Sequence, residues 1–286
     1  MIVFFMDLDN TLIYSYKTVM PYESSKNLPD ARIDRRLSWK QESAQQEPMP
    51  VKSKDWLNVE IYQGREISFI TKRTHELLLE LKKHALIVPA TTRTNEQYGR
   101  IDLQAGAVEY ALTCNGGVLL HNGKSVDAWY QQSRHLAESS REEMRRAITD
   151  LESDENRIFE IRWIEEMFVF TKCRYPELAV CSLRETLDAR LIDVFSNGQK
   201  VYVVPKSLNK GNALVRFRDY IGAEKTLAAG DSIFDLPMLG QADIAAAPAD
   251  YEAVMPMSGS HIHCMKGKKL FSEEMLEFML SALHLL

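Results

Sequence analysis

The sequence predicts an α/β protein with a mostly parallel sheet, helices on both faces of that sheet, and a second α+β domain inserted into the first. Short apolar runs without a polar face, such as Ile2–Met6, are typical of strands that are buried on both sides. These runs alternate with helical segments, and such alternation favours right-handed parallel connections. In the middle of the chain the pattern changes, and this change predicts the inserted domain.

The first half of the sheet is predicted from three strands and two helices. After the strand at 2–6, leucines at helical spacing predict a helix over 74–84. A second apolar run over 85–94 predicts a strand, a short helix follows over 95–102, and a third strand leads to Asn115 and two glycines. This order of strands and helices is typical of a Rossmann-like sheet.

A flap or insertion is predicted over residues 16–71. From residue 16 to about residue 55 the chain is rich in Ser, Gln, Pro and charge and has no sustained periodicity, which is typical of an irregular segment. Residues 56–71 then alternate on both sides of Gln63-Gly64. This alternation predicts a β-hairpin near the end of the first strand.

The inserted α+β domain is predicted over 126–204. Its elements are a helix over 138–151, paired strands over 157–164 and 167–173, a helix over 176–190, and a hairpin that turns at Asn197-Gly198. The alternation of helix and strand resumes at Lys210 and ends in a helix over 272–286. The sheet domain is therefore expected to be discontinuous, with residues 1–125 and 205–286 on either side of the insertion.

The composition indicates an ordinary globular protein with a small-molecule partner. The chain has 286 residues, 45% of them hydrophobic, and a net charge of −5 from 35 basic and 40 acidic residues. The charges are interspersed, so the chain has no basic region that would favour binding of nucleic acid. No apolar stretch approaches the length of about 20 residues that spans a membrane. The first apolar run is too short for a signal peptide. We therefore expect a cytoplasmic protein, a monomer or homodimer, that binds neither nucleic acid nor membrane.

The cysteines indicate neither a disulfide framework nor a metal site. The four of them include no CxxC pair, so we expect them to be reduced and mainly buried. The run HIHC at 261–264 is more typical of a loop or an edge strand than of a metal site.

Polar side chains stand where predicted strands end or predicted helices begin. They lie in four segments, Asp7–Thr11, Thr91–Arg93, Lys210-Gly211 and Gly230–Asp235. Because the carboxyl ends of parallel strands lie on one edge of a sheet, these segments are expected to converge there. Their carboxylates are suited to Mg²⁺, which prefers oxygen ligands, and their lysine and hydroxyl groups are suited to phosphate. One carboxylate could attack phosphorus while another, two residues later, moves a proton.

These segments resemble the motifs of the haloacid dehalogenase-type phosphohydrolases. DLDNT, TTR, NGG, KGNAL and GDSIFD occur in the expected order and cover most of the sheet domain. The inserted block is similar to the large α+β cap of the subgroup that includes sugar-phosphate phosphatases and phosphomannomutases. The resemblance therefore implies a Mg²⁺-dependent phosphatase of a small phosphorylated metabolite, such as a sugar phosphate, with a Rossmann-like core and a cap domain.

The resemblance also implies a role for each motif residue. Asp7 would be the nucleophile that forms an aspartyl-phosphate, and Asp9 the general acid and then base. The metal-binding residues implied are Asp7, Asp9 through its main-chain carbonyl, Asp231, and Asp235 from a second layer or through water. The phosphate- or substrate-binding residues implied are Thr91, Thr92, Arg93, Asn115 and Lys210, of which Arg93 and Asn115 would face the phosphate side of the substrate or brace the loop.

Three departures from the family pattern leave alternatives open. Thr92 stands where the subgroup usually has glycine, Phe234 stands where asparagine is common, and the insertion over 16–71 is unusually long. Phe234 and the long insertion motivate one alternative, a non-catalytic regulatory or binding protein that retains the fold. The other alternative, a phosphosugar mutase, uses the same chemistry as the phosphatase. Asp235 has an alternative of its own, as the cap of the helix that starts near Leu236-Pro237.

Overall fold

The computed structural model describes residues 1–19, 55–251 and 261–283. The strands are β1 (Ile2–Met6), β2 (Tyr14–Ser15), β3 (Trp56–Tyr62), β4 (Arg65–Thr71), β5 (Leu86–Pro89), β6 (Tyr110–Thr113), β7 (Val118–His121), β8 (Lys124–Ser125), β9 (Arg162–Ile164), β10 (Phe168–Lys172), β11 (Ile192–Asn197), β12 (Lys200–Pro205), β13 (Lys225–Ala229), β14 (Ile244–Ala247) and β15 (Ile262–Cys264). The helices are α1 (Lys72–Leu81), α2 (Asn95–Tyr98), α3 (Asp127–Ala137), α4 (Arg141–Glu152), α5 (Pro176–Thr186), α6 (Lys210–Ile221), α7 (Leu236–Gln241) and α8 (Phe271–Leu283).

The central sheet is fully parallel and has the order β15-β14-β13-β1-β5. Alternate side chains of β1 point to opposite faces. Phe4 packs in the same cluster as residues of α1 and α8, whereas the ring of Phe5 lies edge-on to Phe217 of α6, with 5.7 Å between ring centroids. Both faces of the sheet are therefore covered by helices, and the predicted α/β fold class is confirmed.

The predicted hairpin is formed by β3 and β4, and β2 extends it to three strands. Its turn uses Gln63 and Gly64, both with positive φ, as a tight hairpin turn requires. The pairing of β3 with β4 shifts on both sides of Glu60, which is an irregularity of the β-bulge kind. Residues 20–54 of the predicted insertion lie outside the described residues.

The second sheet is antiparallel, with the order β11-β12-β10-β9. One face packs against α4 and α5 in an aliphatic cluster that includes Met144, Val169 and Leu183. The helix predicted over 138–151 begins at Arg141 and is preceded by α3, which the sequence did not predict. The turn between β11 and β12 consists of Gly198 and Gln199, one residue later than expected. The limits 126–204 for an inserted domain remain a prediction.

Two smaller features complete the architecture. The antiparallel strands β6, β7 and β8 form a meander that meets β5 through a parallel bridge between Ala90 and Leu112. The segment HIHC contributes β15, an edge strand of the central sheet, as its sequence indicated. In the ranges that the structure describes, no helix is both long and apolar enough to cross a membrane.

Candidate active site

Asp7 lies at the carboxyl end of β1, the strand between β13 and β5 in the sheet order. Its backbone amide donates to the carbonyl of Ala229 (2.9 Å), so the register of β1 with β13 continues into the site. The residue is buried, and its Oδ1 accepts a hydrogen bond from Nζ of Lys210 at 2.6 Å. Burial raises the pKa of Asp7 well above its ordinary value, and the neighbouring carboxylates of Asp235 and Asp231 act in the same direction while Lys210 opposes them.

Lys210 links two of the predicted motifs. It is the first residue of α6, and Asn209 caps that helix by accepting a hydrogen bond from the amide of Asn212. The ammonium group is buried and donates to Asp7 and, also at 2.6 Å, to Oδ1 of Asp235. Burial alone would lower the pKa of Lys210, but the carboxylates of Asp235 and Asp7 raise it. Lys210 therefore stays charged between two buried acids.

Asp235 organises the loop that follows β13. Its Oδ2 accepts hydrogen bonds from the backbone amides of Asp231 (3.1 Å) and Ser232 (2.9 Å) and from the Ser232 hydroxyl (2.8 Å). Asp235 is the N-cap residue of α7, but its side chain makes no capping hydrogen bond, so the capping alternative does not account for this carboxylate. Gly230 makes the arrangement possible, because a Cβ at this position would lie 2.3 Å from Cβ of Asp235.

Three carboxylates of this edge are arranged to hold a metal ion. One oxygen from each of Asp7, Asp231 and Asp235 falls within 4.8 Å of the others. Thr11 donates to Oδ1 of Asp231 at 3.1 Å and thereby orients it. Hard oxygen donors at this spacing fit Mg²⁺. Both oxygens of Asp235 already accept hydrogen bonds from the chain, so Asp7 and Asp231 are the better placed of the three for direct contact.

Asp9 lies outside that cluster and is held by Arg93. The guanidinium donates from Nε to Oδ2 and from Nη2 to Oδ1 of Asp9, both at 2.8 Å, which is a bidentate pair. Burial would raise the pKa of Asp9, but the hydrogen bonds and charge of Arg93 lower it. In this structure Arg93 therefore contacts the predicted general acid and keeps it ionised.

Glu60 is a functional candidate that the sequence reasoning missed. This buried carboxylate accepts hydrogen bonds from Nη1 of Arg93 (2.9 Å), from Nε of Arg100 (3.1 Å) and from the Ser68 hydroxyl (2.6 Å). The hairpin thereby fixes the far side of Arg93. A glutamate in an alternating strand indicates a solvent-facing side chain, and only the irregular pairing turns it inward.

Thr91, Thr92 and Asn115 lie beside this network. Thr91 is buried, and its hydroxyl accepts from the amide of Arg93 at 3.1 Å. Asn115 adopts a left-handed backbone conformation (φ 60°), and its amide nitrogen Nδ2 donates to the carbonyl of Leu208 (3.3 Å), two residues before Lys210. Its buried Oδ1 has no hydrogen-bond partner among the described residues. Thr92 is half-buried. Their roles toward substrate remain predictions.

Phe234, the unusual residue of the GDSIFD segment, contacts the second sheet. Its ring centroid lies 4.4 Å from that of Phe195 and 4.7 Å from that of Tyr202, both nearly perpendicular. Such edge-to-face contacts are favourable. An asparagine could not make them, so Phe234 joins the Asp231–Asp235 loop to the aromatic face of the β11–β12 hairpin.

Residues 124–251 match the protein-family model described as haloacid dehalogenase-like hydrolase. The predicted resemblance is confirmed. The match begins after the DLDNT segment and includes the second sheet, Lys210 and the Asp231–Asp235 loop. The similarity to haloacid dehalogenase-like hydrolases thus covers two of the segments that build the site, while Asp7 and Asp9 lie outside the matched range.

Three solved structures are similar to the chain in fold. The sucrose-phosphatase of Synechocystis sp., in complex with sucrose and phosphate, is 20% identical, with a TM-score of 0.58, covering 73% of this chain and 89% of that one. A haloacid dehalogenase-like hydrolase from B. subtilis is 14% identical, with a TM-score of 0.52, covering 76% and 94%. A phosphatase of the same superfamily from Bacteroides thetaiotaomicron is 15% identical, with a TM-score of 0.50, covering 82% and 93%. No curated protein sequence matches the chain.

Proposed function

We propose that the chain is a Mg²⁺-dependent phosphatase that hydrolyses a small phosphorylated metabolite, of the sugar-phosphate class, through an aspartyl-phosphate on Asp7. One observation carries the proposal. Lys210 joins Asp7 to Asp235 at the carboxyl edge of the parallel sheet, within reach of Asp231. A buried carboxylate beside a cation and an acidic cluster suits phosphoryl transfer through a covalent intermediate, because positioning and charge neutralisation dominate this reaction.

In the first step, an oxygen of Asp7 attacks phosphorus while the bond from phosphorus to the leaving oxygen breaks. Lys210 holds the other oxygen of Asp7 and fixes the direction of attack. Asp9 gives its proton to the leaving oxygen. In the second step, Asp9 takes a proton from a water molecule that attacks phosphorus, so that inorganic phosphate leaves and Asp7 is regenerated.

Asp9 must carry a proton for the first step, and its pairing with Arg93 opposes this. The proposal therefore includes a rotation of Asp9 away from Arg93 when substrate binds. Glu60 then keeps Arg93 in place, because it holds a different nitrogen of the guanidinium. Mg²⁺, when bound by Asp7, Asp231 and the main-chain carbonyl of Asp9, would supply positive charge to the transferring phosphoryl group.

The test compares Asp7→Asn with Asp219→Asn, a control in which an exposed aspartate of α6 is changed. We expect phosphate release from para-nitrophenyl phosphate and from hexose phosphates to require Mg²⁺ and to disappear in Asp7→Asn, with circular dichroism unchanged. The control should retain full activity. Undiminished phosphate release by Asp7→Asn would refute the role of Asp7 as the nucleophile. Isomerised hexose phosphate in place of free phosphate would favour a mutase.

Three further parts of the proposal rest on composition and pattern. They are the division into a core of residues 1–125 and 205–286 with a cap over 126–204, a cytoplasmic location, and a monomeric or homodimeric state.

A further inference from the structure

Two lysines of the second sheet face each other without an acidic partner. Lys172 on β10 and Lys200 on β12 are directly opposite in the antiparallel register. Like charges in such a pair destabilise a sheet. Within the described ranges, neither ammonium group forms an ion pair with a carboxylate, and Nζ of Lys172 lies 5.1 Å from the ring centroid of Phe159. The sheet therefore tolerates an unfavourable pair of charges at its end.

The pair lies on the face of the sheet that is turned toward the candidate active site. Residues two apart in a strand share a face, so Lys200 is on the side of Tyr202. Tyr202 contacts Phe234 of the Asp231–Asp235 loop at 4.7 Å. The opposite face carries Val201 and Val203, which pack in the aliphatic cluster with the helices.

The electrostatics agree with this placement. Lys200 is solvent-exposed at the start of β12. Partial desolvation by the surrounding protein lowers its pKa, the charge of Asp9 raises it, and the charges of Lys172 and Arg93 lower it further. The same Asp9 charge adds to burial in raising the pKa of Tyr202. Lys200 is therefore within electrostatic range of the predicted general acid.

The cations of the core are engaged in a different way. Lys210 donates to Asp7 and Asp235, and Arg93 donates to Asp9 and Glu60. Each of these two cations has two carboxylate partners from the chain itself. Lys172 and Lys200 have no such carboxylate partner among the described residues, so both remain available to an anion from outside the chain.

We infer that Lys172 and Lys200 form a subsite for a second anionic group of the substrate, a carboxylate or a second phosphate, away from the phosphoryl group that Asp7 would attack. This inference rests on the proposed function and narrows it. The substrate is a phosphorylated metabolite that carries a further anion, and a neutral sugar monophosphate would leave the two lysines unpaired.

Matched substrate pairs test the inference. Glycerol 3-phosphate and 3-phosphoglycerate differ by a carboxylate, and fructose 6-phosphate and fructose 1,6-bisphosphate differ by a second phosphate. We expect kcat/KM to be at least about tenfold higher for the doubly anionic member of one pair, the order of magnitude that a charge-assisted hydrogen bond supplies. The pair that shows the preference identifies the second anion. The preference should fall with added salt.

Variants assign the preference to the two lysines. Lys172→Gln and Lys200→Gln should each reduce the ratio of kcat/KM values within that pair about fivefold, mainly through KM, because one charge is lost. Lys172→Arg and Lys200→Arg retain the charge and should retain most of the ratio. The control Lys124→Gln, at an exposed lysine in β8, should leave the ratio unchanged.

Ratios near one in both pairs for the unaltered protein would overturn the inference. So would a ratio that is unchanged in the double variant Lys172→Gln, Lys200→Gln. If none of these substrates nor para-nitrophenyl phosphate is hydrolysed, the proposed phosphatase activity is wrong. The inferred subsite is then tested by the shift in the thermal unfolding midpoint that each compound causes. A shift with the doubly anionic members alone supports the subsite, and equal shifts within both pairs refute it.

Discussion

Replacing Glu60 by glutamine tests whether the hairpin holds the arginine that holds Asp9. The carboxylate is 1% exposed and accepts three hydrogen bonds, two of them from guanidinium groups. The side-chain amide of glutamine has one acceptor oxygen, which can accept hydrogen bonds either from Arg93 and Ser68 or from Arg100. Its NH₂ group then faces a donor that has no acceptor. A hydrogen bond to a charged group contributes about 1.5–3 kcal/mol, and breaking a buried ion pair costs about 3–5 kcal/mol.

We therefore expect Glu60→Gln to lower the free energy of unfolding by about 3 kcal/mol, at the overlap of these ranges. The measurement is urea unfolding, read as a lower midpoint at unchanged slope. Glu66→Gln changes an exposed glutamate of the same hairpin and should stay within about 0.5 kcal/mol of the unaltered protein. A loss below about 1 kcal/mol, or equal losses in the two variants, would refute the reasoning.

The same variant bears on the reaction. Without Glu60, Arg93 has Asp9 as its remaining carboxylate partner among the described residues. Asp9 is then held more firmly in its ionised form, which is unsuited to protonate a leaving group. We expect kcat to fall several-fold while KM changes little, and an unchanged kcat would contradict the proposed release of Asp9 from Arg93.

Two other predictions follow from burial. Phe234→Ala should lower the free energy of unfolding by about 3 kcal/mol, since it removes a buried ring with two edge-to-face contacts. Urea unfolding measures the loss, and the control Ile233→Ala, at an exposed residue, should lose little stability. Equal losses of stability in the two variants would contradict this account of the loop. Burial raises the pKa of Cys114 to about 12 and of Cys173 to about 11, so a thiol reagent at pH 8 should label the exposed Cys181 first and these two only on unfolding. A thiol in the unfolded chain ionises near pH ~8.5. The two buried thiols should therefore make the free energy of unfolding fall as the pH rises from about 8.5 through the pKa values of the folded protein. A free energy of unfolding that stays constant up to pH ~11 would contradict this prediction.

The sheet could be predicted from the sequence because its signals are local. Apolar runs such as Ile2–Met6 indicate buried strands, and where such a strand is parallel to its neighbours the residue that follows it is placed at one edge of the sheet by topology. Asp7 and Asp231 were predicted in this way, Lys210 was predicted from its place at the start of a helix, and the structure brings the three residues together.

The position of Glu60 could not be predicted because it depends on a pairing irregularity. Regular alternation along β3 would place Glu60 and the apolar Ile61 on opposite faces, with Ile61 inward. The structure has the reverse, since Glu60 is 1% and Ile61 is 59% exposed. The register shifts on both sides of Glu60 accompany this exchange, and they are a property of the pairing of β3 with β4, which the sequence of β3 alone does not indicate.

Phe234 shows the same limit from another direction. The sequence marks it as a departure from the family pattern, but its partners Phe195 and Tyr202 belong to a separate sheet. A contact between elements that are distant in sequence leaves no periodic signal. The departure is explained only when the two sheets are seen together.

The charge balance of the candidate site connects the metal proposal with the second anion. The network has an excess of two negative charges when all its groups are ionised. It consists of five carboxylates and three cations, namely Asp7, Asp9, Glu60, Asp231 and Asp235 with Arg93, Arg100 and Lys210. The raised pKa of Asp7 is the electrostatic consequence of its burial among other acids. One divalent cation would compensate the excess without any contribution from Lys172 and Lys200. Among the described residues, Lys172 and Lys200 form no ion pair with the carboxylates of this network, and an anionic group at the far end of the substrate is the partner that we propose for them.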